Sequence, residues 1–246
     1  MPKKRLRIFA GPNGSGKSTI IKAVNAKVGC PYFVNADEIC QTLRQTGRFN
    51  FTKFLIETSK EELCSFVAQS TLFQRMEDDA TMLLEAINVE NNVLFLPDKY
   101  VTAYLCAILA DFLRMRMLNI VEQFTIETVM SDSRKLDYFS LAKSLGYRLY
   151  LYFVSTKDPD INVERVKQRV ASGGHNVPEE KIRSRYYRSL ENVYDLLKIC
   201  DRAYFFDNSA ETWDLVAEYD AGTGDLILSG DMVPYWFNKY IVEKIK

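Results

Sequence analysis

Apolar residues in this chain fall in short runs that alternate with longer stretches of helical spacing. Leu6 to Ala10 is an apolar run that meets Gly11, and the segment opening at Thr19 has helical character. Tyr32-Phe-Val, Phe124-Thr-Ile-Glu-Thr-Val, Tyr147 to Ser155 and Arg202-Ala-Tyr-Phe-Phe-Asp read as four further strands, rich in β-branched and aromatic residues. Leu136 to Leu145, stopped by Gly146, and then Ile161 to Val170 and Glu179 to Lys198 carry helical periodicity. Strands alternating with helices predict an α/β fold whose central, mainly parallel five-stranded sheet has helices on both faces. Residues 41–95, poor in Gly and Pro, place Leu63, Phe66 and Val67, then Met82, Leu83, Ala86 and Ile87, at helical spacing and predict a mainly helical insertion. Leu215 to Tyr219 and Asp225 to Leu228 flank Ala221-Gly-Thr-Gly and predict a C-terminal β-hairpin. The expectation is one domain over 1–246, with the insertion at about 41–95 and a helical pair at about 161–198.

Composition narrows the class. The 32 basic and 32 acidic residues cancel, so no chain-wide field exists to hold nucleic acid or an anionic membrane. The apolar stretch from Tyr100 to Ala110 is interrupted by Asp111, Arg114 and Arg116, which predicts a buried helix rather than a span of roughly 20 apolar residues. The basic start, Met1 to Arg7, precedes too few apolar residues for a signal peptide, and the five scattered cysteines form no C-x-x-C pair. These features predict a cytoplasmic protein with reduced, buried thiols.

Gly11-Pro12-Asn13-Gly14-Ser15-Gly16-Lys17-Ser18 satisfies G-x-x-x-x-G-K-[ST], after a predicted strand and opening a predicted helix. Glycines let the chain curl so that successive N–H groups and the helix N-terminus face phosphates. Lys17 is expected to reach the β- and γ-phosphates and Ser18 to ligate Mg²⁺, with Thr19 completing the nucleotide-binding set. A guanine-selective N-K-x-D is missing, since Asn238-Lys239-Tyr240-Ile241 lacks the final Asp, so ATP is the expected nucleotide.

Polar residues following strands are the next candidates, because ligands in open parallel sheets meet the carboxyl ends of the strands. Asp37 follows the second strand and could accept the proton of an attacking hydroxyl or cap the helix that starts there. Glu127 falls in the third strand, where a carboxylate needs a partner: a metal-bound water, a substrate hydroxyl or an internal ion pair. Thr128, Ser131 and Asp132 are weaker candidates. Arg165 and Arg169 share one helix face, and Arg183, Arg185 and Arg188 populate the next helix, with Gly173-Gly174 as a hinge between. They read either as a lid bringing guanidinium groups to a transferring phosphoryl or as a solvated basic face. Arg169 is the favoured catalytic arginine. Asp207 and Asn208, at the end of the fifth strand, are placed near the adenine.

With Asn35-Ala-Asp-Glu-Ile, Phe124-Thr-Ile-Glu-Thr-Val-Met-Ser and the run from Arg165 to Glu180, the phosphate loop resembles the zeta-toxin family of P-loop kinases over roughly residues 5–40 and 100–210. The resemblance implies a P-loop NTPase fold and ATP- and Mg²⁺-dependent phosphorylation of a hydroxyl on UDP-N-acetylglucosamine. It places the aspartate base on Asp37, the glutamate on Glu127 and a lid arginine on Arg169. The chain departs from the family where a second lid arginine would stand, which falls on His175, and in its longer helical segment between Asp37 and Glu127. The expected activity is thus transfer from ATP to a hydroxyl of a small metabolite, such as a nucleotide sugar. The alternative is an ATP-hydrolysing interaction switch. An antitoxin-like partner is a further option that no sequence feature identifies.

Overall fold

The computed structural model describes residues 4–75, 80–174 and 176–245. It opens with β1 (Arg5–Ala10), the glycine loop and α1 (Lys17–Val28). Then come β2 (Phe33–Val34), α2 (Ala36–Thr46), β3 (Arg48–Asn50), α3 (Lys60–Gln69), α4 (Ala80–Ala86), β4 (Asn88–Glu90), β5 (Val93–Phe95) and α5 (Ala103–Ile120). The remainder comprises β6 (Gln123–Thr128), α6 (Lys135–Ser144), β7 (Arg148–Ser155), α7 (Pro159–Ala171), α8 (Glu179–Ile199), β8 (Arg202–Asp207), β9 (Asp214–Asp220) and β10 (Asp225–Leu228). Two compact units emerge: Met1–Pro31 with Glu122–Lys246, and Tyr32–Val121.

Six strands of the first unit follow one another in the order β10-β9-β8-β7-β1-β6. β1 runs parallel to both β6 and β7, and β7 parallel to β8, so all three neighbouring pairs point their C-terminal ends the same way. The predicted hairpin forms as β9 and β10 and extends the sheet, β9 lying antiparallel to β8. Alternation along β7 sorts its side chains. Tyr152 and Val154 join Phe9, Phe206 and Ile20 of α1 on one face, while Phe153, like Phe205 of β8, meets the C-terminal pair Trp236 and Phe237 on the other. Each fully buried side chain of this size contributes roughly 1.5–3 kcal/mol. Burial of the Tyr152 phenol, stacked between Phe9 and Tyr204, pushes its pKa up to about 12.

α7 starts two residues before the predicted point. Asp158 caps it by accepting from the Asp160 N–H at 2.7 Å, and Pro159 takes the first helical position, where its missing N–H costs nothing.

The segment at about 41–95, expected to be mainly helical, also contains strands. β3, β5 and β4 form an antiparallel sheet in that order. The two residues joining β4 to β5, Asn91 and Asn92, both take positive φ (49° and 61°), the backbone of a type I′ hairpin turn that asparagine tolerates. This short turn signal was hidden between helical patterns. α5 is the buried helix expected from Tyr100 onward, capped by Thr102, and no described helix is long and apolar enough to cross a membrane.

The reading of every cysteine as a free thiol is corrected here. α2 and α5 pack against each other and bring the Cα atoms of Cys40 and Cys106 to 5.5 Å, where they form a disulfide across 66 residues; Cys30, Cys64 and Cys200 are free. Pairing at that sequence distance is a product of helix packing and leaves no spacing signature. Reduction is expected to lower the stability of the folded chain by about 2–4 kcal/mol. Thermal melts of wild type and of a Cys40→Ala/Cys106→Ala variant, with and without dithiothreitol, check this: only the wild type should respond to the reductant.

Candidate functional site

The glycine loop leaves the C-terminal end of β1 and enters α1. The Gly11 N–H donates to Thr128 O of β6 at 3.3 Å, fastening the loop's first residue to the neighbouring strand. Gly14 has φ +76°, and a Cβ there would lie 2.4 Å from the Asn162 carbonyl oxygen of α7. Gly16 stands at the helix N-cap with φ +88°, and no side chain caps the first turn of α1, so its leading N–H groups are donors suited to an anion. Gly14→Ala therefore combines a strained φ with a backbone clash. We expect a stability loss of about 1–3 kcal/mol, a fall of several degrees in thermal midpoint, and weaker nucleotide binding measured by titration.

Lys17 opens α1, and its side chain turns back into the loop. It is 6% exposed, and Nζ donates to Gly11 O at 2.8 Å and Pro12 O at 2.9 Å. Glu127 Oε1 lies 3.6 Å from the same ammonium, carried there because Glu127 on β6 pairs in register with Phe9 on β1. The sequence left Glu127 between a ligand-facing role and an internal ion pair. The structure sets its carboxylate beside the Lys17 ammonium at the phosphate loop. Ser15 Oγ is fully buried with no hydrogen-bond partner among the described residues. Ser18 and Thr19 are exposed in the first turn of α1. Such a loop, with an uncapped helix start, a buried ammonium and serine hydroxyls, fits a polyphosphate, and the Ser18 hydroxyl with the Glu127 carboxylate offers the oxygen donors that Mg²⁺ takes while keeping waters.

Among the weaker candidates, Thr128 accepts from the Met130 N–H at 3.2 Å and from Lys135 Nζ at 2.9 Å. Asp132 pairs with Arg134 at 2.6 Å, and that guanidinium holds its carboxyl below the usual range.

The arginines divide by their partners. Arg183 is tied to Glu179 at 2.8 Å and Asp160 at 2.6 Å, the exposed ion pairing that contributes little. Arg165 donates to the carbonyl oxygens of Asn208 at 2.6 Å and Ala210 at 3.1 Å, so it braces the exit from β8. Arg185 reaches the loop: its Nη1 is 3.5 Å from Asn13 Oδ1. Arg169 is half-buried in the last turn of α7, seven residues beyond Asn162 and hence on the same helix face. His175 lies outside the described residues.

Two residues make loop contacts that sequence reasoning did not specify. Asn162 was assigned nothing, yet its Nδ2 donates to Asn13 O at 2.7 Å. Asn208, expected near adenine, donates from Nδ2 to Ser15 O at 2.9 Å, while Asp207 accepts from Trp236 Nε1 at 2.7 Å. Only the Asn13–Gly16 loop's need for external support could have hinted at them.

Asp37 belongs to the second unit. It is exposed in the first turn of α2, and the cap of that helix is Asn35, whose Oδ1 accepts from the N–H groups of Asp37 at 2.7 Å and Glu38 at 3.4 Å. The capping alternative for Asp37 is thereby removed.

Comparison with known proteins agrees with this geometry. The AAA domain family AAA_33 matches residues 6–188. An uncharacterized protein of Haemophilus influenzae (strain ATCC 51907 / DSM 11121 / KW20 / Rd) is 32% identical over 63 residues, which is 26% of this chain and 45% of that protein. In fold, the chain is similar to the AvrRxo1-ORF1:-ORF2 structure with ATP, with a TM-score of 0.59 at 15% identity over 99% of this chain and 63% of that one. It is also similar to a structure of the PezAT chromosomal toxin–antitoxin system of Streptococcus pneumoniae, with a TM-score of 0.53 at 10% identity over 98% of this chain and 80% of that one. The chain thus spans less than two thirds of the first of each kind. At the level of fold, these matches bear out the resemblance to P-loop kinases of the zeta-toxin kind. A phosphate loop at the end of β1, flanked by parallel strands and matched over residues 6–188, makes this chain a member of the AAA_33 family of AAA domains.

Proposed function

We propose that the protein is a phosphotransferase that moves the γ-phosphate of ATP to a hydroxyl of a small metabolite, with nucleotide sugars as the first acceptor class to test. The observation that carries the reading is the Lys17 ammonium, buried in a glycine loop and 3.6 Å from the Glu127 carboxylate. A lysine so placed neutralises charge on the β- and γ-phosphates, and the N–H groups opening α1 add partial positive charge. Mg²⁺ held by Ser18, with Glu127 beside it, would further neutralise the transferring group. Asp37 takes the proton of the acceptor hydroxyl as its oxygen bonds to the γ-phosphorus; the bond to the β–γ bridging oxygen breaks and ADP leaves. Arg169 stabilises the equatorial oxygens. Arg185, already at Asn13, is the second arginine in place of the position that falls on His175.

Incubation with Mg²⁺, ATP and a pool of nucleotide sugars and other metabolites tests this. A phosphorylated acceptor is the expected product. A second reading, an ATP-hydrolysing switch with a protein partner, draws support from neighbours that are a two-protein complex and a toxin–antitoxin system. Phosphate release that appears only when a partner protein is added, with no phosphorylated metabolite, would select it instead.

A further inference from the structure

The phosphate loop is gripped from outside by two carboxamides that the phosphotransfer reading leaves without a role. Asn162 of α7 is fully buried and Asn208, just past β8, is 8% exposed. Each donates its Nδ2 to a loop carbonyl oxygen, Asn13 O at 2.7 Å and Ser15 O at 2.9 Å. Each also presses on the loop: a Cβ at Gly14 would lie 2.4 Å from Asn162 O, and one at Gly16 would lie 1.9 Å from Asn208 Nδ2.

Both asparagines are themselves held. Asn162 Oδ1 is against the Thr156 hydroxyl, which leaves the amide nitrogen for Asn13, and Thr156 O accepts from the Tyr186 hydroxyl at 2.6 Å. The Asn208 backbone N–H donates to Ser155 O at 2.8 Å, and its carbonyl accepts from Arg165 Nη1 at 2.6 Å. In a trans peptide the C=O of one residue and the N–H of the next point in opposite directions. A donor that pulls Asn13 O outward therefore turns the Gly14 N–H the other way, and one that pulls Ser15 O outward does the same for the Gly16 N–H.

We infer that Asn162 and Asn208 are positioning residues that aim the Gly14 and Gly16 N–H groups at the phosphates of the bound nucleotide. The inference rests on the nucleotide-binding part of the reading above. Amide pre-orientation of this kind lowers the reorganisation needed on binding, since the peptide planes are set before an anion arrives.

The test is an amide ¹H–¹⁵N correlation spectrum of wild type, Asn162→Ala, Asn208→Ala and Asn208→Asp, titrated with MgADP and accompanied by thermal melts. In the wild type the Gly14 and Gly16 amide protons should move downfield as they bond to phosphate oxygens. Asn208→Ala should suppress the Gly16 displacement and keep that of Gly14, Asn162→Ala should do the reverse, and each should weaken ADP affinity about tenfold. Asn208→Asp preserves side-chain size and removes the donor, so it should suppress the Gly16 displacement as Asn208→Ala does, an outcome that a space-filling role would not produce. Persistence of both displacements and of wild-type affinity in the Asn208 variants overturns the inference while leaving nucleotide binding intact. Failure of the wild type itself to bind MgADP at millimolar concentration overturns the parent reading, and this inference with it.

Discussion

Lys17→Ala is expected to lower the rate of nucleotide-dependent transfer by about 10² to 10³, equivalent to roughly 3–4 kcal/mol of lost transition-state stabilisation. The size follows from the surroundings of the ammonium. Lys17 is almost wholly buried, held by the carbonyl oxygens of Gly11 and Pro12 and faced by Glu127, so water screens it poorly and no flexible surface cation can take its place. Steady-state turnover of ATP by wild type and variant at saturating Mg²⁺ measures the effect. Wild-type turnover in Lys17→Ala would remove the loop from the chemistry and with it the proposed activity. The variant should stay folded, since Gly11 N–H, Asn162 and Asn208 hold the loop backbone without the lysine.

Asp37→Asn is expected to cut phosphoryl transfer by about 10² to 10⁴ while changing nucleotide affinity by less than about twofold. A carboxamide cannot take the acceptor proton, which is the whole of the role proposed for this side chain. The structure makes the substitution a clean one. Asn35 rather than Asp37 caps α2, so the helix keeps its first turn, and the lost charge near the helix start costs only about 0.3–1 kcal/mol. Product formation with the acceptor found in the metabolite screen, set beside an ATP titration, separates the two effects. Transfer retained at the wild-type rate would assign the proton to another group.

The legible parts of this protein are those in which short-range chemistry is decisive. Gly11 to Ser18 declares its conformation and its ligand in eight residues, because an N–H cradle for phosphate needs glycines, a lysine and a hydroxyl at fixed steps along the chain. The strands at Leu6, Phe124, Tyr147 and Arg202 were equally readable, since a sheet covered on both faces demands unbroken apolar runs. Glu127 stood out as a charge in such a run. Its nearness to Lys17 came only from the register that sets it opposite Phe9. The three-stranded sheet of the second unit was not legible, because its strands are three residues long and too short to show alternation.

Sequence by itself determined the order of strands and helices outside residues 41–95, the site of the phosphate loop and the identity of its lysine, all of which depend on neighbours within a few residues. Tertiary structure alone decided which arginine reaches the loop, which cysteines pair and which asparagines hold the loop from outside. Those contacts join residues 66, 149, 172 and 193 positions apart, and each is made by the packing of whole elements, so no local pattern in the chain records it.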